Sequence, residues 1–262
     1  MMMAGGLIIA AGTTIIINQL QSVQRKSDRI IETNSNMELI RQSLVNFAKV
    51  TKRLPCPTTG ALDTGLSAPA APSQNCTNPN GTVPWVTLGL SKSASLDGWG
   101  RKISYRVFQG ATGLTQTNGA DMTNCYKIVP PLPPVSAAPP DFMCSAGHTT
   151  SKDDYLANRP GFTVVDNGIP IPIPDNKFAF VLISHGGSGN GAWITGGGRV
   201  TLPPAGNVQE FGNTQAGLTY YNQTYSDPTV MPTAINHFDD VVVYMSIPEL
   251  LSQAARSARD WL

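Results

Sequence analysis

The sequence predicts an α+β fold: one long N-terminal helix packed on an antiparallel sheet head domain with long loops. Three observations predict it. No proline occurs before Pro55, so nothing in the backbone interrupts a helix over that run. Three later segments, Arg101–Phe108, Lys177–Ser184 and Phe238–Ser246, carry the apolar content of strands. Between them lie stretches rich in glycine and proline, with 25 Gly and 21 Pro in 262 residues.

The helix begins as an apolar rod. Met1–Ile17 carries no charge, and its core is Leu7, Ile8, Ile9, Ile15, Ile16 and Ile17, with Gly5, Gly6 and Gly12 interspersed. Asn18, Gln19 and Gln21 follow, and the first charges are Arg25 and Lys26. From there apolar residues fall at Leu20, Val23, Ile30, Ile31, Met37, Ile40, Leu44, Phe47 and Ala48, with Ser27 as a lapse. Steps of three and four place them on one face of a helix. About fifty residues at about 1.5 Å each make a rod of about 80 Å, longer than a head domain needs. The expected division is therefore an apolar transmembrane or filament-core helix over 1–24, its amphipathic continuation over 25–53, and a loop-rich head over 54–262. A signal peptide fits less well, because the segment has neither a basic start nor an A-x-A cleavage site. The apolar run falls slightly short of the roughly 20 residues that span a bilayer.

Composition narrows the function. A net charge of +1, with no basic block beyond Lys52–Arg53, gives no electrostatic footprint for nucleic acid. Four cysteines, Cys56, Cys76, Cys125 and Cys144, all follow the helix, and none forms the C-x-x-C spacing of a zinc site. An even count in a domain held outside a membrane points to disulfides. Three connectivities are possible; the local one, Cys56–Cys76 with Cys125–Cys144, brackets two loops rich in Pro, Ser and Asn. Four reduced, buried thiols are the alternative.

Leu54-Pro55-Cys56-Pro57 stops the helix, and Thr58–Asn80 is a long loop with only Leu62 and Leu66 as sizeable apolar anchors. Gly81–Leu90 returns to apolar residues around Trp85, and Leu96–Gly100 reads as a tight turn. Arg101–Phe108 alternates, with Ile103, Tyr105 and Val107 on one face of a half-buried strand. Lys127–Val129 suggests a short strand, Pro130–Pro140 a polyproline connector, and Phe162–Val165 another strand. Ile169–Pro174 is extended but excluded from a sheet centre by its prolines. Lys177–Ser184 is apolar on both faces and belongs in the middle of the sheet, covered by the helix. His185–Gly191 is a glycine-rich turn, Ala192–Thr195 a short strand, and Gly196–Pro232 loop-rich. After the strand Phe238–Ser246, the capping-box spacing of Ser246 and Glu249 opens a last helix.

Catalytic signals are weak. Ser184 and His185 are adjacent on a strand and point to opposite faces, so they do not pair with each other. Gly186–Asn190 lacks the second glycine of a G-x-S-x-G elbow, and no lysine makes it a phosphate loop. His148, His185 and His237 have no metal-ligand spacing. For calcium the candidates are Asp239 with Asp240, Asp153 with Asp154, and Asp166 with Asn167, none with the dense acidic spacing of a dedicated loop. Tyr220, Tyr221 and Tyr225 sit in a polar stretch, where they line the surface or stack on a ligand.

The order of segments behind the helix carries a resemblance. RLPCP, GTVPWVTLGL, LDGWGRKISYRV, FVLISHGGSGNGAW and FDDVVVYMS follow one another. In this order the chain resembles bacterial prepilin-type proteins: type IV pilins, minor pilins and the pseudopilins of type II secretion. The Asp97, Trp99, Gly100 and Tyr105 element is similar to one in major pseudopilins. The resemblance implies a pilin-like head and a non-enzymatic structural subunit, of minor type given the chain's size. It implies an inner-membrane helix with a periplasmic head before assembly, then a place in a pseudopilus or an extracellular pilus. Partners would be other pilin or pseudopilin subunits and the membrane, with no cofactor beyond a calcium ion of the kind major pseudopilins hold. Family precursors open with a basic leader ending in glycine and carry a glutamate at the fifth mature position. Here the first acidic residue is Asp28. The expectation is a chain start inside a longer precursor, with an atypical subunit as the alternative. A membrane-anchored extracytoplasmic binding or adhesion module that does not polymerise is the alternative function.

Overall fold

In the computed structural model of the protein, residues 5–117, 119–120, 156, 159–172, 177–226 and 235–254 are described, with side chains from residue 21 onward. Helix α1 runs Gly5–Thr51, 47 residues in one element. Lys52 takes a left-handed conformation (φ 61°), and its N–H closes the last turn on the Ala48 carbonyl at 2.9 Å. Met37, Ile40, Leu44 and Ala48 are buried, as the three-four spacing predicts. Further up the same helix Val23 and Ile31 are 67% and 63% exposed, so the face closes on the head only from Thr33 onward. Among the described residues no helix is long and apolar enough to cross a membrane. The physical reason lies in the sequence: Gly12, Thr13 and Thr14 dilute the run, and Asn18 and Gln19 end it.

The sheet against which α1 lies is antiparallel. Strand β2 (Ser104–Val107) pairs with β5 (Phe178–Ser184), which pairs with β8 (Val241–Ser246). β5 is central and buried at every position, which its two-faced apolar sequence requires. Leu182 lies opposite Tyr105 on one side and Val243 on the other. The C-terminal helix α3 (Ile247–Ala254) packs on α1, β5 and β8. Ser246 Oγ accepts the Glu249 N–H at 3.2 Å, half of the expected capping box. Arg41 of α1 donates to both Glu38 (2.7 Å) and Glu249 (3.0 Å), joining the two helices.

Arg101–Phe108 departs from the half-buried reading. It divides into β1 (Arg101–Lys102), which pairs with β6 (Trp193–Ile194), and β2, whose four residues are all buried. The second face is covered by loops, so Arg106 is buried rather than solvated. Its guanidinium donates to the carbonyls of Gly81 (2.9 Å) and Gln215 (3.3 Å). Burial lowers its pKa to about 10, and it stays charged near neutrality.

A second small sheet orders as β4 (Ile169–Pro170), β3 (Thr163–Asp166) and β7 (Thr219–Asn222). The β3–β7 pair is parallel, made possible by the long connection that carries β4 to β6 and helix α2 (Val208–Asn213). Gly196–Pro232 therefore holds a helix and a strand where sequence suggested loop, and Tyr220 is core. Its ring meets Phe162 edge-on at 5.1 Å, and only 1% of it is exposed.

Cys56 and Cys76 form a disulfide, Cα–Cα 5.4 Å, closing the loop after α1. Cys125, Cys144, Lys127–Val129, Pro130–Pro140, Asp153 and Asp154 lie outside the described residues.

Candidate functional site

Two polar networks meet where β5 ends. The first is built on the turn Asp97–Gly100. Asp97 is buried; its Oδ1 accepts the N–H groups of Trp99 and Arg101, both at 2.9 Å, and its Oδ2 accepts Ser184 Oγ at 2.8 Å. Gly98 donates to Thr33 Oγ1 at 2.9 Å, and a Cβ there would lie 2.2 Å from the Arg29 carbonyl oxygen. The turn thus rests directly on the helix. Tyr105, also buried, donates its hydroxyl to the Pro55 carbonyl at 3.1 Å. Gly100 supplies a left-handed backbone (φ 78°). Asp97, Gly100 and Tyr105 thus tie helix, turn and central strand together, while Trp99 joins them through its backbone N–H.

The second network joins His185, α2 and the segment before β8. His185 Nε2 lies 3.2 Å from Ser104 Oγ, and its Nδ1 lies 3.3 Å from Asp240 Oδ1. Asn213 Nδ2 donates to Asp240 Oδ2 at 2.9 Å. A serine, imidazole and carboxylate in series have the order of a nucleophile relay. Ser104 is only 1% exposed, however, so no substrate reaches its hydroxyl in this conformation. The series holds β2, β5 and the start of β8 in register. As the strand alternation implies, Ser184 and His185 bond to different partners.

Beside it stand Glu210, His237 and Asp239, all buried. Asn207 caps α2 by accepting the Glu210 N–H at 3.2 Å, and it donates to the His237 carbonyl at 2.7 Å. Glu210 Oε1 lies 2.8 Å from His237 Nδ1 and accepts the Asp239 N–H at 3.0 Å. Asp239 in turn accepts from Ser188, N–H at 2.6 Å and Oγ at 2.9 Å. Gly186 permits this approach, since a Cβ there would lie 1.9 Å from the Asp239 carbonyl oxygen. Burial, then the nearby charges of Asp240 and Asp239, push the Glu210 carboxyl up to about 8. Burial also raises Asp239, against the pull of its Ser188 hydrogen bonds. Among the described residues no lysine or arginine forms an ion pair with Glu210, Asp239 or Asp240.

A cavity of about 600 Å³ opens on His237 and Asp239. Its facing wall is the α1 surface of Arg25, Lys26 and Arg29, and Trp99 and Tyr225 stand at its sides. Lys26 Nζ sits 3.8 Å from the centre of the Tyr225 ring.

Sequence reading brought Asp239 and Asp240 forward as a pair, but the structure sends them to different networks. Asp166 accepts from Asn167 and Asn222 at the end of β3. Tyr225 alone of the three tyrosines lines the cavity, Tyr221 being half-buried beside α2. Glu210 went unseen, although Asn207-x-x-Glu210 has capping spacing and would have marked α2. Ser104, Ser188 and Asn213 carry no such signal. Comparison with protein-family models, with curated proteins and with solved structures finds no match.

Proposed function

We propose that the chain is a non-enzymatic, membrane-anchored filament subunit of the prepilin type, a minor subunit of a type IV pilus or a type II secretion pseudopilus. The observation that carries this reading is the division of α1. Its second half is an integral wall of the head, while Val23 and Ile31 lie exposed on a helix that continues to Gly5. An isolated globular domain has no use for such an extension. In a filament, the apolar segment with Leu7–Ile17 leaves the bilayer and buries against copies of itself, and Gly5, Gly6 and Gly12 allow close approach. The disulfide Cys56–Cys76 fits a head that folds outside the cytoplasm.

The test is a charge placed in the proposed filament axis. Ile9→Arg and Ile16→Arg each put a guanidinium where no water or counter-ion reaches it, so filament yield should fall to background while subunit level is retained. Normal filament yield from both variants would remove the proposal. Filament loss with the subunit still membrane-held supports it over a simple anchored binding module.

A further inference from the structure

We infer that His237 and Asp239 form a site for one divalent cation of the zinc, cobalt and nickel class, oriented by Glu210 and opening on the cavity beneath α1. His237 is 96% buried, and its two ring nitrogens are not equivalent. Nδ1 faces Glu210 Oε1 at 2.8 Å, which fixes the ring and directs Nε2 away from that carboxylate. Among the described residues Nε2 has no hydrogen-bond partner, yet His237 lines the cavity. The nearest acidic oxygen is Asp239 Oδ2 at 4.0 Å, also on the cavity wall.

That separation suits a metal rather than a hydrogen bond. Tetrahedral zinc bonds of about 2.0–2.2 Å place neighbouring ligand atoms about 3.3 Å apart, within reach of a small rotation of either side chain. Ligand atoms of Glu210, His237 and Asp239 all lie within 4.8 Å of one another. A carboxylate behind a ligating imidazole is the arrangement that sets its tautomer and raises its basicity. The open positions face the cavity and would hold water.

The imidazole decides the class of ion. Calcium and magnesium take oxygen ligands, whereas a histidine nitrogen selects the borderline transition metals. Asp240, the other residue considered for calcium, bonds to His185 and Asn213 in the neighbouring network and does not line the cavity. Electrostatics agree with a cation here. Glu210, Asp239 and Asp240 are buried carboxylates whose ion-pair partners among the described residues are histidines, with no lysine or arginine. On the facing wall Arg25 and Arg29 are exposed, so water and salt screen them, and the half-buried Lys26 has its ammonium over the Tyr225 ring. The site does not depend on whether the chain polymerises.

The experiment is a Co²⁺ titration of the detergent-solubilised full chain after chelator treatment, read by visible absorption and competed with Zn²⁺. One equivalent of Co²⁺ with intense tetrahedral-type bands, displaced by Zn²⁺, is expected. His237→Gln should abolish the bands. Asp239→Asn, which keeps the shape, should weaken affinity at least about tenfold, and Glu210→Gln about 10–100-fold. His148→Gln should leave the titration unchanged. Absence of a saturable Co²⁺ spectrum in the unsubstituted protein overturns the inference. So does a spectrum that survives His237→Gln, or one removed by His148→Gln. If His237→Gln fails to fold by circular dichroism, the unsubstituted protein and Asp239→Asn decide: unchanged affinity in Asp239→Asn also overturns it.

Discussion

Two stretches of α1 share one sequence pattern and have opposite fates. Around Met37–Ala48 the apolar positions are sealed against the sheet and α3, whereas Val23 and Ile31 stand in solvent. The contrast teaches that helical periodicity predicts that a face will be covered, but not by what. For the lower stretch the cover is the chain's own head. For the upper one, among the described residues, the head supplies the turn at Gly98, the cavity wall and Tyr225 over Lys26. A second copy supplies the rest in the proposed filament.

The sharpest break between the stretches is a pair of truncations. Leu44→Ala, at a position with no exposure, should cost about 3–5 kcal/mol in urea unfolding of the subunit. Ile31→Ala should stay within about 0.5 kcal/mol in the same measurement while lowering assembly. Equal costs would dissolve the comparison. Next in size is Cys56→Ser, which opens the loop fastened just past the packed stretch. The chain-entropy model gives a loss of about 3 kcal/mol, readable as a lowered denaturant midpoint and faster proteolysis within 58–80. Smaller still is Thr33→Val, where the two stretches meet. It leaves the Gly98 N–H without its acceptor and should cost about 1–2 kcal/mol, with hydrogen exchange rising at Gly98.

The smallest effect is a pH dependence. Hydrogen bonds from Lys102 and Lys92 hold the Asp63 carboxyl below its ordinary 3.8. A depressed folded-state value means that this contribution is complete above the unfolded pKa. It is lost only as pH falls below 3.8 and through the folded value. Asp63 is partly exposed, so the loss should appear as local opening of the loop in acid rather than global unfolding. Opening centred above pH 5 would contradict the ion-pair account.

Much of this architecture is legible in the residues, for identifiable reasons. β5 announces itself because a strand apolar on both faces has only a central place to go. The lower helix face and the Ser246 cap follow from local spacing. Arg106 and Tyr220 are misread because their burial depends on loops and on a parallel strand pair formed far away in sequence. The site is harder still. Glu210 reaches His237 across 27 positions, and Ser188 reaches Asp239 across 51, so no local pattern joins them. Only Asp239 stood out, and it did so beside the wrong neighbour.

The central claim is that the upper helix buries itself against other copies. Ile8→Cys and Ile16→Cys, introduced singly and together into subunits otherwise unchanged and oxidised in the cell, test it most directly. A ladder of multimers beyond the dimer from a protein carrying both substitutions, with dimers only from each single one, is the predicted result. Monomers throughout, at normal membrane levels of the subunit, would contradict it.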